Sequence, residues 1–156
     1  MELTIEPARA PTPDVEALVH ELEAELAQHY PPSQRHGLAI AALFAPDVRF
    51  FVARRGGAAV GCGGVGLYTG YAEVKRMYAR PSARGAGVAA ALLAAIEATA
   101  RAAGYRVLRL ETGDAQRAAM RFYERSGFAR RAAFGGYLDL PAAAIATSVF
   151  YEKPLA

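Results

Sequence analysis

Hydrophobic positions change period along the chain. Val15, Leu18, Val19, Leu22 and Leu26 recur at spacings of three and four, which predicts a helix with one packed face and Glu16, Glu21, Glu23 and Glu25 on the other. Thr12-Pro13-Asp14 supplies an N-cap, a proline at the first helical position and an early acid, and Tyr30-Pro31-Pro32 stops the helix. Leu3 to Pro7 alternates like a short edge strand. Ser33 begins a second, weaker helical stretch to about Phe44, with Gly37 inside it. Val48 to Ala53 and Ala58 to Leu67 are extended apolar runs around Gly56-Gly57, a hairpin pattern, and Ala72 to Ala79 follows as a third strand. Val88 to Ala103 is an alanine- and leucine-rich helix with Gly104 at its C-terminal cap. Val107 to Glu111 reads as a strand, Asp114 to Ser126 as a helix ended by Gly127, and Phe128 to Phe134 and Ser148 to Tyr151 as closing strands.

This order predicts a mixed α/β fold: a mostly antiparallel central sheet flanked by helices, with a strand-helix-strand unit at its heart. At 156 residues and 53% hydrophobic composition the chain suits one core, so residues 1–156 are expected to form a single domain. The longest apolar run, Val88 to Ile96, is too short for a membrane span. No basic and apolar leader pattern opens the sequence, and Cys62 is the lone cysteine, so a reducing, cytoplasmic setting is expected. A net charge of +3 is a small excess, and no nucleic-acid partner is expected. Lys75, Arg76, Arg80 and Arg84 nevertheless lie within ten residues, a density that suits a polyanionic small molecule.

Two glycine-rich segments bear on phosphate binding. Gly61-Cys62-Gly63-Gly64-Val65-Gly66 fits G-x-G-x-x-G, but strand- and turn-forming residues follow it, so a tightly packed strand is the better reading. Arg84-Gly85-Ala86-Gly87-Val88-Ala89 does open a helix after a strand, where converging amides and the helix dipole favour an anion. Gly85, Gly87 and Ala90 also fit G-x-G-x-x-A, with Glu111 about 20 residues on, so a nicotinamide-dependent oxidoreductase stays open on pattern alone.

Arg84-x-x-Gly87-x-Ala89 before an alanine-leucine helix resembles the pyrophosphate loop of the GCN5-related N-acetyltransferase (GNAT) family, consensus Q/R-x-x-G-x-G/A. Ala119-x-x-Phe122-Tyr123-x-x-x-Gly127-Phe128 is similar to the family's A-x-x-F-Y-x-x-x-G-F signature. The resemblance covers roughly residues 48 to 153 and extends to a bacterial subgroup known mainly from sequence. It implies an acetyl-CoA-dependent N-acetyltransferase with splayed central strands, needing no metal, acting on a primary amine of a small molecule or peptide. A homodimer through the terminal strands is a further expectation from the family. A CoA-binding module without turnover is the alternative of a different class.

The resemblance also implies roles. The backbone of Met77, Tyr78 and Ala79 would pair with pantetheine, and Arg84, Gly85, Ala86, Gly87, Val88 and Ala89 would hold the pyrophosphate. Gln116 stands where many relatives have a cofactor-contacting asparagine. Glu73 is the candidate base and Tyr123 the candidate acid. Glu73 and Lys75 share a strand face, so an ion pair is the competing role for Glu73, and core packing beside Phe122 competes for Tyr123. Tyr30, Arg35 and His36 fall in the segment that usually shapes the acceptor site. The three histidines are too scattered for a recognisable metal site, and Cys62 is expected to be a small buried apolar residue. Residues 140–147 form a segment longer than in similar proteins and are expected to border the acceptor.

Overall fold

The structure, a computed structural model, describes residues 2–156. Seven strands form one sheet in the order β1-β2-β3-β4-β5-β7-β6. These are β1 (Leu3–Ala8), β2 (Val48–Arg55), β3 (Ala58–Leu67), β4 (Ala72–Ala79), β5 (Val107–Gly113), β6 (Ala129–Arg131) and β7 (Ser148–Pro154). Three helices accompany them: α1 (Pro13–Ala27), α2 (Val88–Ala102) and α3 (Arg117–Arg125). Every neighbouring pair of strands is antiparallel except β4 and β5, which are joined through α2 and run parallel. Parallel neighbours need such a crossover.

Two apolar layers sandwich the sheet. Val15, Leu18, Val19 and Leu22 of α1 pack with Phe50, Val52, Cys62 and Tyr78 on one face. On the other, Leu93, Ile96 and Ala100 of α2 join Val65, Val74, Leu108, Leu110, Tyr123 and Tyr151. Thr12 caps α1 as its sequence predicts, its hydroxyl accepting from the Val15 amide at 3.4 Å. The Gly61–Gly66 run lies wholly inside β3, and a Cβ on Gly61 would fall 2.6 Å from the Val88 side chain. Glycine there lets α2 sit close to the sheet, and Cys62 is buried as expected.

Several strands run a few residues longer than the sequence reading, and three larger differences stand out, two of which trace to a distant side chain. The predicted helix over 33–44 is two short 3-10 turns, Pro32–Gln34 and Ile40–Phe44. Between them the Leu38 carbonyl is taken at 2.9 Å by the Arg76 Nε–H instead of by a helical amide. α3 starts at Arg117, not Asp114, because the Ala115 amide donates to the Tyr30 hydroxyl at 2.8 Å. β6 stops at Arg131, after which Phe134 enters the core and Gly135, at φ +53°, turns the chain into a 3-10 helix. Tyr123 therefore sits on the third helix of the fold.

Candidate active site

β4 and β5 pair only through Ala72 with Leu108 and Glu73 with Arg109, then part. The divergence has a local cause. Cys62 of β3 faces Tyr78, but Gly64 faces Lys75, so β4 carries one residue more than β3 across this stretch. That extra residue is accommodated around Arg76, whose φ of +51° is the one positive value at a non-glycine position among the described residues. A bulge of this kind bends its strand and sharpens its twist. The edge of β4 from Val74 to Ala79 is left without a β5 partner, and a slot opens between the strands.

Met77 of β4, Leu110 of β5, Gln116 at the N-cap of α3, and Ala119 and Tyr123 along that helix line this slot. Tyr78 points its side chain the other way, into the α1 layer, where its hydroxyl donates to Glu21 at 3.2 Å. Beyond the end of β4, Gly85 and Gly87 hold φ of +80° and +82°, and a Cβ on either would meet nothing within 4 Å. Gly87 is the N-cap of α2 and no side chain caps that helix end. The amides of its first turn therefore face open space, a cradle shaped for an anion. Val88 anchors the turn from below, its side chain buried against β3.

The basic cluster read from the sequence is not a free patch. Arg80 grips Glu21 with two nitrogens at 2.8 and 3.0 Å, and Arg84 binds Glu25 through Nη2 at 2.9 and 3.0 Å. Arg76 and Arg35 share Glu23, and Lys75 pairs with Glu73 at 2.9 Å. Glu21, Glu23 and Glu25 of α1 thus bind Arg76 of β4 and the two arginines just beyond it, while Glu16 stays exposed. Arg84 also donates to the Ala79 carbonyl at 3.1 Å, which fixes it beside the phosphate cradle.

At the inner end of the slot, Glu73, Glu111, Lys75, His36 and Tyr137 converge. Glu73 is 2% exposed and accepts from Tyr137 at 2.7 Å as well as from Lys75. Both of its sequence-derived roles thus meet here, since it faces the cavity while held in the ion pair. Glu111 accepts from Ser148 at 2.7 Å. Burial lifts its pKa above the ordinary carboxylate range, Glu73 adds to this, and Ser148, His36 and Lys75 partly oppose it. Burial alone raises Tyr123, so its phenol keeps its proton throughout the neutral range. Tyr123 is packed edge-on against Phe128, while Phe122 occupies the partly buried flank.

Tyr30, Arg35 and His36 all line the same cavity, each already engaged. The Tyr30 hydroxyl organises residues 114–115, contacting Asp114 at 3.5 Å as well as the Ala115 amide. His36 places Nε2 at 2.7 Å from the Ala144 carbonyl and meets the Tyr137 ring edge-on. The 140–147 segment thereby reaches the cavity wall, and Gln34 reinforces it with a bond to Ala143. Two participants escaped the sequence reading. Glu111 was read as a strand end and as the acid of the rival dinucleotide pattern, not as part of this cluster, although alternation along β5 separates it from core residues Leu108 and Leu110. Tyr137 lies in an irregular loop and has no local signature.

The chain matches the model of the Acetyltransferase (GNAT) family over residues 15–128. It belongs to the GNAT family. This chain is accordingly an N-acetyltransferase, and the open dinucleotide alternative falls away. It is 46% identical over 140 residues to the IAA acetyltransferase of Azospirillum brasilense, covering 88% of each chain. It is 33% identical over 144 residues to an uncharacterized N-acetyltransferase, YsnE, of Bacillus subtilis (strain 168), covering 90% of this chain and 92% of that one. Among solved structures, a Klebsiella pneumoniae protein described as an acyl-CoA N-acyltransferase superposes with a TM-score of 0.79 at 36% identity, over 99% of this chain and 98% of its own. The GNAT fold is the one described above, with its mixed sheet and single parallel pair. Among the described residues no helix is long and apolar enough to cross a membrane.

Proposed function

We propose that this GNAT enzyme transfers the acetyl group of acetyl-CoA to a primary amine of a small molecule or peptide, by direct attack in a ternary complex. The observation that carries the reading is the slot between β4 and β5, open at one end onto an uncapped helix terminus and closed at the other by carboxylates. The residues fit the co-substrate. Gly85 and Gly87 leave the room a diphosphate needs, and the amides of Gly85, Gly87, Val88 and Ala89 supply donors to it, while the Ala86 amide holds the turn closed on the Ala83 carbonyl at 3.3 Å. Met77, Tyr78 and Ala79 offer an unpaired strand edge to the pantetheine amides. Gln116 stands at the slot wall with its amide free to bond there, and an amide near Met77 polarises the acetyl carbonyl.

Glu111 takes the proton that the acceptor ammonium loses, directly or through water, and its burial raises its pKa in the direction that favours a base. Glu73, neutralised by Lys75 and Tyr137, is the second carboxylate and orients the amine. As the new C–N bond forms and the C–S bond breaks, Tyr123 gives its proton to the departing sulfur. Solvent then exchanges protons with both side chains. The test is release of free thiol from acetyl-CoA against pooled amines, amino acids, polyamines, antibiotics and IAA, the compound in the Azospirillum relative's name. Thiol release and an acetylated amine are expected. Tight acetyl-CoA binding with no acetylated product from any acceptor would overturn the reading.

A further inference from the structure

One guanidinium at the acceptor end keeps donors unused. Lys75 and Glu73 neutralise each other, but Glu23 is shared between two guanidiniums, giving one oxygen to Arg76 and the other to Arg35. The Arg76 side chain is 6% exposed and bonded at two nitrogens, with Nη1 on Glu23 and Nε on the Leu38 carbonyl. Gly37 is what allows this, because a Cβ there would collide with the Arg76 guanidinium at 2.2 Å. Arg35, its side chain 19% exposed, makes one bond, from Nη1 to Glu23 at 2.9 Å. Its Nε is enclosed with no acceptor, the single such buried side-chain atom among the described residues. A buried donor left unpaired is costly, and structures that keep one usually provide its partner in another state.

Arg35 lines the same cavity as Glu111, Glu73, His36 and Tyr123. We infer that Arg35 anchors a carboxylate carried by the acceptor, so that the preferred substrates are amines that also bear a carboxylic acid. A carboxylate fits this position by shape and charge. Its planar pair of oxygens matches a guanidinium fork, of which Glu23 takes only one nitrogen. A polyamine cannot use these donors, since its second ammonium only donates and adds a positive charge beside Arg35. The acidic helix face that might have attracted such a cation is already bound by arginines. A neighbouring cavity shares His36, Glu73, Lys75 and Tyr137 with this one and adds Tyr68 and Tyr71, aromatic surface for an apolar substrate body.

This inference rests on the acetyl-transfer reading for its place in catalysis, and its test separates the two. Acceptors are compared in matched pairs: phenylalanine with phenethylamine, 4-aminobutyrate with propylamine, and spermidine and phosphoethanolamine as further arms. For the wild type, kcat/KM is expected to favour the carboxylate member by about tenfold or more. Arg35→Gln is expected to bring that ratio close to one through KM, and Arg35→Lys to retain part of it, with both variants keeping wild-type acetyl-CoA affinity as a control on folding. Calorimetric titration of phenylalanine and of phenethylamine into CoA-saturated protein reads the same preference without turnover. A wild-type preference for the decarboxylated amines, spermidine or phosphoethanolamine overturns the inference, as does an unchanged ratio in Arg35→Gln. Calorimetric preference for the acid with no acetylation of any amine would keep the anchor and remove the transfer reaction.

Discussion

The two ends of the β4 slot are built from different materials. The cofactor end, residues 84–89, consists of main-chain amides around two left-handed glycines, with Val88 as its one deeply buried side chain. The acceptor end consists of side chains from five separated segments: Arg35 and His36, Glu73 and Lys75, Glu111, Tyr137, and Ser148 behind Glu111. A backbone cradle is indifferent to most residue identities but intolerant of a lost glycine. A side-chain cluster permits varied backbones yet changes chemistry with each substitution. One fold can therefore keep its acetyl donor while its acceptor changes, since the parts that recognise each are physically separate.

The sharpest way to break this contrast is to remove the two carboxylates in turn. Glu111→Gln is expected to lower kcat by about 10²- to 10⁴-fold, the usual worth of a positioned base, with little change in melting temperature or acetyl-CoA affinity. In the wild type, kcat should fall as pH drops through a pKa above the ordinary carboxylate range, because burial raises Glu111 and only its ionised form accepts the proton. That limb should vanish in the variant. Glu73→Gln acts differently. It strands Lys75, whose side chain is 11% exposed, without its partner, and is expected to cost about 3–5 kcal/mol of stability, measurable by denaturant unfolding. If the pH limb survives in Glu111→Gln and disappears in Glu73→Gln, the base is Glu73.

The cofactor end is challenged by Gly87→Val. A branched residue at φ +82° is strained by roughly 1–2 kcal/mol, and its side chain projects into the cradle. Acetyl-CoA affinity is expected to fall by about 100-fold, read by calorimetry. Gly104→Val is the control, because Gly104 has φ +88° and equally open surroundings at the far end of α2. It should lose comparable stability and no affinity. Equal affinity losses at both positions would mean that strain, not occupation of the cradle, causes the effect.

The same contrast explains what the sequence revealed. The turn at 84–89 and its flanking elements were legible as structure because their determinants are local: glycines one residue apart, a helix beginning at once, and a strand whose bounds, Ala72–Ala79, match the pattern of its residues. The helix that carries Tyr123 was legible for the same reason, lying in a contiguous stretch ended by Gly127. The acceptor end was opaque because its bonds join residues far apart in sequence, such as Tyr137 with Glu73 and Arg76 with Glu23. Those bonds also overrode local propensity, unwinding the expected helix at 33–44. The acids of α1 illustrate the limit well. Periodicity placed them correctly on one face, yet nothing local announced that arginines of β4 and the following loop would cover it.

That covered face yields the smallest expected effect and tests whether α1 is held by charge or by its apolar stripe. Arg80, chiefly by hydrogen bonding, holds Glu21 below the ordinary carboxylate pKa in the folded protein. A depressed folded pKa gives stability that is complete above the unfolded value and is lost as pH falls toward the folded one. The Glu21 side chain is 39% exposed, so water and salt screen the pair, and Glu21→Gln is expected to cost less than about 1 kcal/mol near pH 7. The difference in stability between wild type and variant should shrink as pH drops through the carboxylate range, and again in molar salt. Val15, Leu18, Val19 and Leu22 would then carry α1 almost unaided. A loss several times larger that resists both acid and salt would instead make the arginine clamp on β4 the principal bond between α1 and the bulged strand, tying the width of the slot to that helix.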